Sequence, residues 1–136
     1  MKFSSKKNRS LGFTLMELII VISIMAILVA IAVPNFTSSI KRSREAVLRQ
    51  NLFTLRSVIS QYTLDKQKAP QSLQDLIQAG YLKQIPVDPI TDQANWTVDQ
   101  EEDTIMSPDE QDQGGIDDVH SSASQVGTNG TAYSSW

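Results

Sequence analysis

Glu17 is the residue whose type and position most demand a chemical reason. It lies in the run from Phe13 to Val33, in which Thr14 and Ser23 are the only other polar side chains. An acid near the membrane interior costs about 2.5–3.5 kcal/mol even on a lenient insertion scale, so this carboxylate needs a partner or a role. Elsewhere the parts of an active site are missing. His120 is the sole histidine and the chain has no cysteine, so cysteine triads and histidine-based metal sites lack parts, and none of the serines has the spacing of a known nucleophile motif. No glycine-rich phosphate loop occurs. The residues therefore point to a non-enzyme, with His120 read as a strand-edge residue.

A helix must carry Glu17. Phe13–Val33 is 21 residues long, roughly 31 Å at helical rise and enough to cross the hydrocarbon of a bilayer. A leader with Lys2, Lys6, Lys7 and Arg9 and no acid precedes it and ends in Gly12, the charge bias of a cytoplasmic flank. Pro34 follows; because an apolar pattern resumes beyond it, a kink is expected rather than a stop. Residues 36–64 then read as an amphipathic helix. Leu48, Leu52, Leu55, Ile59 and Tyr62 form its apolar stripe, flanked by Phe53 and Val58, with Gln50, Asn51, Arg56, Ser57 and Gln61 on the other face. Run together, residues 13–64 predict a rod roughly 75–80 Å long.

The stretch Gly12-Phe13-Thr14-Leu15-Met16-Glu17-Leu18-Ile19 resembles the N-terminal processing signal of type IV pilins and of the pseudopilins of type II secretion. The resemblance implies that a prepilin peptidase cuts between Gly12 and Phe13 and that Phe13 is then N-methylated. Residues 1–12 would be the leader, 13–33 the transmembrane and filament-core helix, and 34–136 a periplasmic head that includes the helix 36–64. A cut there leaves a cationic amine on Phe13. Glu17 could neutralise that amine on a neighbouring copy, offsetting two desolvation costs together. An ordinary signal peptide is the rival reading, with Leu18–Val33 as its apolar region and Ala30-Ile31-Ala32 as its cleavage site. Its apolar region would be long, and Glu17 would have no role.

The remainder of the chain predicts a small α+β head. Ser72 to Gly80 reads as a short helix, capped by Ser72, favoured at its start by Asp75 and ended by Gly80, with Leu73, Leu76 and Ile77 facing inward. Tyr81–Pro89 is extended because two prolines exclude helix. Its pattern G-Y-L-x-x-x-P-x-D-P resembles the segment after the short helix of major pseudopilins, the G-type subunits. Trp96–Val98 and Ile116–Val119 predict strands of a small antiparallel sheet, and Ile105-Met106 a third. The acidic stretch 99–115 is expected to be a mobile loop. Trp136 is expected to dock on the core or on a neighbouring chain.

Major pseudopilins bind calcium in a C-terminal loop through two aspartates and backbone carbonyls. Here Ser122-Ala123-Ser124 and Ala132-Tyr133-Ser134-Ser135-Trp136 fall where that pattern lies, without the aspartates. Calcium wants six to eight oxygens, some of them charged. No cofactor is therefore expected. Asp109, Asp112, Asp117 and Asp118 match no EF-hand spacing and read as a solvated acidic surface.

Charge is distributed unevenly. Lys41, Arg42, Arg44 and Arg49 cluster around one acid, Glu45, whereas residues 85–136 hold eleven acids and no Lys or Arg. The basic patch suits lipid headgroups or the acidic head of an adjacent subunit. Nucleic acid fits poorly, since no aromatics interleave the patch and the head is acidic. The resemblance implies a type II secretion pseudopilus subunit. Its partners would be copies of itself, prepilin peptidase, an inner-membrane secretion platform, minor pseudopilins and membrane lipid. A type IV pilus subunit shares the N-terminal features; the lack of cysteine and the P-x-D-P segment favour the pseudopilin. A membrane-tethered binding module is the rival of a different class, and it would not require Glu17.

Overall fold

In a computed structural model, residues 12–100 and 114–136 are described. The basic residues of the leader, the Ile105-Met106 strand, and Asp109 and Asp112 lie outside the described residues. The chain divides into two units, Met1–Ser39 and Ile40–Trp136. One helix, α1 (Leu15–Lys66), contributes residues to both.

Within the first unit, α1 is apolar on every side. Its large apolar side chains between Phe13 and Val33 are all at least 46 % exposed. A helix apolar all round belongs in lipid or among other apolar helices, and α1 is long and apolar enough to cross a membrane. Ser23 adds little polarity, because its hydroxyl donates to the Ile19 carbonyl at 2.7 Å. The helix passes through Pro34 without ending. Beyond it, hydroxyls take up main-chain carbonyls: Thr37 donates to Pro34, and Ser38 and Ser39 donate to Asn35.

In the second unit, α1 supplies Leu48, Leu52, Leu55 and Ile59 to the core, at spacings that keep them on one face. Leu76, Trp96, Ile116, Val119, Ala123 and Tyr133 pack against them. The short helix α2 (Leu73–Gln78) has Asp75 at its mouth, accepting bonds from the Gln71 and Ser72 amides at 2.9 and 3.0 Å. Burial pushes the Asp75 carboxyl up, but the Ser72 and Gln71 donors win and its pKa is lowered. Gly80, at φ +83°, takes the left-handed conformation that stops the helix. Two antiparallel strands form the sheet, β1 (Thr97–Gln100) and β2 (Ile116–His120), with Val98 opposite Val119 and an irregularity between Asp99 and Gln100.

The expected α+β head, its short helix and its two strands are all present. Two side-chain placements on α1 differ from expectation. Phe53, read as flanking the apolar stripe, is 69 % exposed, since its position lies about a quarter turn outside the buried face. Arg56, assigned to the polar face, is half-buried at the edge of the head, held by Asp118, Val119 and Trp136. Truncating Leu52 to Ala should cost about 2–5 kcal/mol in chemical unfolding, the range for emptying a packed aliphatic site. Phe53→Ala should change stability by less than about 0.5 kcal/mol, as at an ordinary surface position.

Candidate functional site

The residues expected to flank the cleavage site sit immediately ahead of α1. Gly12 and Phe13 are exposed and non-helical, and Phe13 is 84 % exposed. Thr14 caps the helix: its hydroxyl accepts the Glu17 amide at 3.2 Å, and its carbonyl accepts the Leu18 amide at 3.2 Å. Glu17 is thus the third helical residue, where the positive helix end favours an acid. The sequence Thr-Leu-Met-Glu already carries the S/T-x-x-E pattern of a capping box. This capping signal went unread in the sequence, where Glu17 stood out for its desolvation cost and for a neighbouring amine. Geometrically, the Gly12–Phe13 bond is a non-helical, accessible peptide just outside the cap, the form in which a protease can engage a chain.

In the head, the chemistry converges on the C-terminal turns. Glu45 is 2 % exposed. One of its oxygens accepts the Thr128 amide and the Tyr133 hydroxyl, each at 2.8 Å, and the other accepts the Thr128 hydroxyl. Burial pushes the Glu45 carboxyl up, but these donors and the nearby Lys41 ammonium outweigh it, so its pKa is lowered. Tyr133 moves the other way, pushed up to about 12 by burial and by its bond to Glu45. Lys41 also donates to the Val126 carbonyl at 3.1 Å. Trp136 packs edge-on to Tyr133 at 5.1 Å and donates to the Thr131 hydroxyl at 2.7 Å. A Cβ on Gly127 would come within 2.6 Å of the Trp136 ring, so only glycine fits there. The expected docking of Trp136 is onto this head.

Two further polar clusters tie distant segments together. Arg56 donates to Asp118 at 2.5 Å and to the main-chain oxygens of Val119 and Trp136 at 3.0 and 2.9 Å. Burial raises the Asp118 pKa, but the Arg56 guanidinium and the Val119 amide outweigh it, and the net shift is downward. His120, at the end of β2, lies 3.2 Å from Asp99 and 2.6 Å from the main-chain oxygen of Trp136. Asp88 of the P-x-D-P segment is fully buried, accepting the Ile90 amide at 2.7 Å and the Ser121 hydroxyl at 2.5 Å. That aspartate closes a turn and joins it to the start of the C-terminal segment.

Calcium does not fit these groups. The carboxylate serving the C-terminal turns is Glu45, and both its oxygens already accept N–H or O–H donors. Asp118 is engaged by Arg56. Among the described residues, no group of three or more His, Asp or Glu side chains is placed to hold a metal ion. Glu45, Asp88 and Arg56 were not singled out by sequence reasoning. Two of them left a trace: Glu45 stands three residues before Leu48, in register with the apolar stripe, and Asp88 is the acid of the P-x-D-P pattern.

Glu45→Gln should destabilise the head by about 1.5–3 kcal/mol in chemical denaturation, the worth of hydrogen bonds to a charged group. Because the folded pKa of Glu45 lies below its ordinary value of 4.5, the linked stability is complete above that pH and is lost as pH falls towards the folded value. Tyr133 has the opposite sign. Its contribution is complete below pH 10 and is lost as pH rises towards about 12. Thermal melts across pH should therefore fall at both ends, and Glu45→Gln should flatten the acid limb.

Comparison with known proteins agrees with the geometry at the N-terminal end of α1. The prokaryotic N-terminal methylation motif matches residues 7–33. The type II secretion system core protein G of Klebsiella michiganensis is 31 % identical over 100 residues, covering 62 % of this chain and 70 % of the relative. The core protein G of Aeromonas hydrophila is 29 % identical with the same coverage. The type IV major pilin PilA of Myxococcus xanthus is 38 % identical over 68 residues, half of this chain and 31 % of the pilin. No solved structure matches the chain significantly. With an apolar helix capped at Thr14, a small α+β head and relatives that match beyond the N-terminal motif, the chain belongs to the family of the type II secretion system core protein G, the pilin-like major pseudopilins.

Proposed function

We propose that this chain is a structural, non-enzymatic subunit of a type II secretion pseudopilus, processed at Gly12–Phe13 and assembled into a filament that drives protein export. Residues 1–12 are the leader, 13–33 the helix that first spans the inner membrane and then fills the filament core, and 34–136 the periplasmic head. Prepilin peptidase hydrolyses the Gly12–Phe13 amide, and a methyl group then replaces one proton on the Phe13 amine. In the filament, Glu17 of one copy faces the Phe13 amine of the next. The secretion platform and minor pseudopilins are its assembly partners.

The observation that carries this reading is Glu17, an acid in the first turn of a helix whose apolar side chains between Phe13 and Val33 are all exposed. The helix dipole compensates a fraction of its charge, typically 0.3–1 kcal/mol. A cationic amine four residues away on a neighbouring chain would compensate far more. A type IV pilus subunit is the second reading, supported by the PilA match. It is disfavoured because that match covers 31 % of the pilin, whereas the match to core protein G covers 70 % of that relative.

Intact mass and N-terminal sequencing of the chain from cells should give a protein that starts at Phe13 and is heavier by one methylene. A start after Ala32 would end the filament reading. Glu17→Leu should leave cleavage intact and reduce filament yield by about tenfold or more, the effect of removing one partner of a desolvated charge pair.

A further inference from the structure

A second stripe runs along α1, distinct from the one that packs the core. Arg42, Arg49, Phe53, Ser60 and Leu64 are spaced by seven, four, seven and four residues, which puts them on one helix face. All five are exposed, Phe53 and Leu64 by 69 % and 71 %. Open grooves border Phe53, one reaching Arg49, Asn129 and Trp136 and the other reaching Ser60 and Leu64. The Arg49 guanidinium lies over the Trp136 ring at 4.5 Å. Among the described residues neither Arg42 nor Arg49 forms an ion pair, whereas Arg56 beside them is already neutralised by Asp118. An apolar ridge with two unspent guanidinium groups suits an acidic partner with some apolar surface.

This same sequence contains such a partner. Residues 99–118 hold nine acids and no Lys or Arg, and β1 and β2 fix both ends of that stretch in the head. At its described end, Asp117 is exposed and forms no ion pair. A basic surface that meets a different, acidic surface of an identical chain makes a heterologous contact. Such contacts propagate into open helical arrays rather than closing as a two-fold dimer.

We propose that the Arg42–Arg49–Phe53–Leu64 face of α1 docks a second copy of this chain through that copy's acidic stretch 99–118. The contact rests on the filament reading and specifies where two heads in that filament meet.

The test uses the full-length chain expressed in cells, with sheared filament yield as the readout. Arg42→Glu with Arg49→Glu should lower that yield by about tenfold or more, since opposed like charges cost several kcal/mol. Arg42 is exposed and Arg49 gives up only its cation–π contact with Trp136, so the thermal melt of the detergent-solubilised variant should stay within a few degrees of the parent. Adding Glu101→Lys, Glu102→Lys and Asp103→Lys to the same chain should restore filaments to within about twofold of the parent. Unchanged yield in the reversed chain overturns the proposal. A loss that the reciprocal change does not rescue also overturns it and assigns the face to lipid or to another protein. A parent chain that forms no filament removes the filament reading, and this contact falls with it.

Discussion

The need to keep one apolar helix out of water governs the rest of this molecule. The first half of α1 is apolar around its whole circumference. Such a helix belongs in lipid or among other apolar helices. The filament proposed above would take it from the first setting to the second and would need a polar mark at the helix end. Glu17, in the first turn beside the Thr14 cap, is placed at that end. The head is correspondingly simple: one helix face, a short helix and two strands around a small core.

Carboxylates recur at the points where this small head would otherwise come apart. Glu45 holds the C-terminal turns to α1 through Thr128 and Tyr133. Asp88 joins the P-x-D-P turn to Ser121, and Asp118 anchors β2 to Arg56. Glu45 and Asp88 are buried and Asp118 is part-buried, and each is compensated by at least two donors, which is the condition under which a buried charge persists. With no cysteine in the chain, these clusters do the cross-linking of distant segments that a disulfide performs in small disulfide-bonded domains. Glu45 provides the negative charge around which the C-terminal turns are built.

Much of this was legible before any coordinates. Hydrophobic periodicity located both halves of α1, the cap-and-glycine grammar of Ser72, Asp75 and Gly80 located α2, and alternation located both strands. These signals are local, because a residue and its effect lie within one turn or one strand. Gly12 and Phe13, expected at the cleavage site, and Glu17, expected in assembly, belong to the same class. Their meaning lies in a short contiguous motif, and the structure adds that the peptide at Gly12–Phe13 is non-helical and exposed.

By itself, then, the sequence determined the apolar anchor, the site of its acid, the order of elements and the polarity of charge between stem and head. Tertiary structure alone decided which charges are internal. Glu45 meets Tyr133 across 88 residues, Arg56 meets Asp118 across 62 and Asp88 meets Ser121 across 33. Periodicity along a helix shows which face a residue occupies, but not which distant donor will stand opposite it. That choice depends on how the loops return over α1, and it made Glu45 a clasp, drew Arg56 inward and left Phe53 outside.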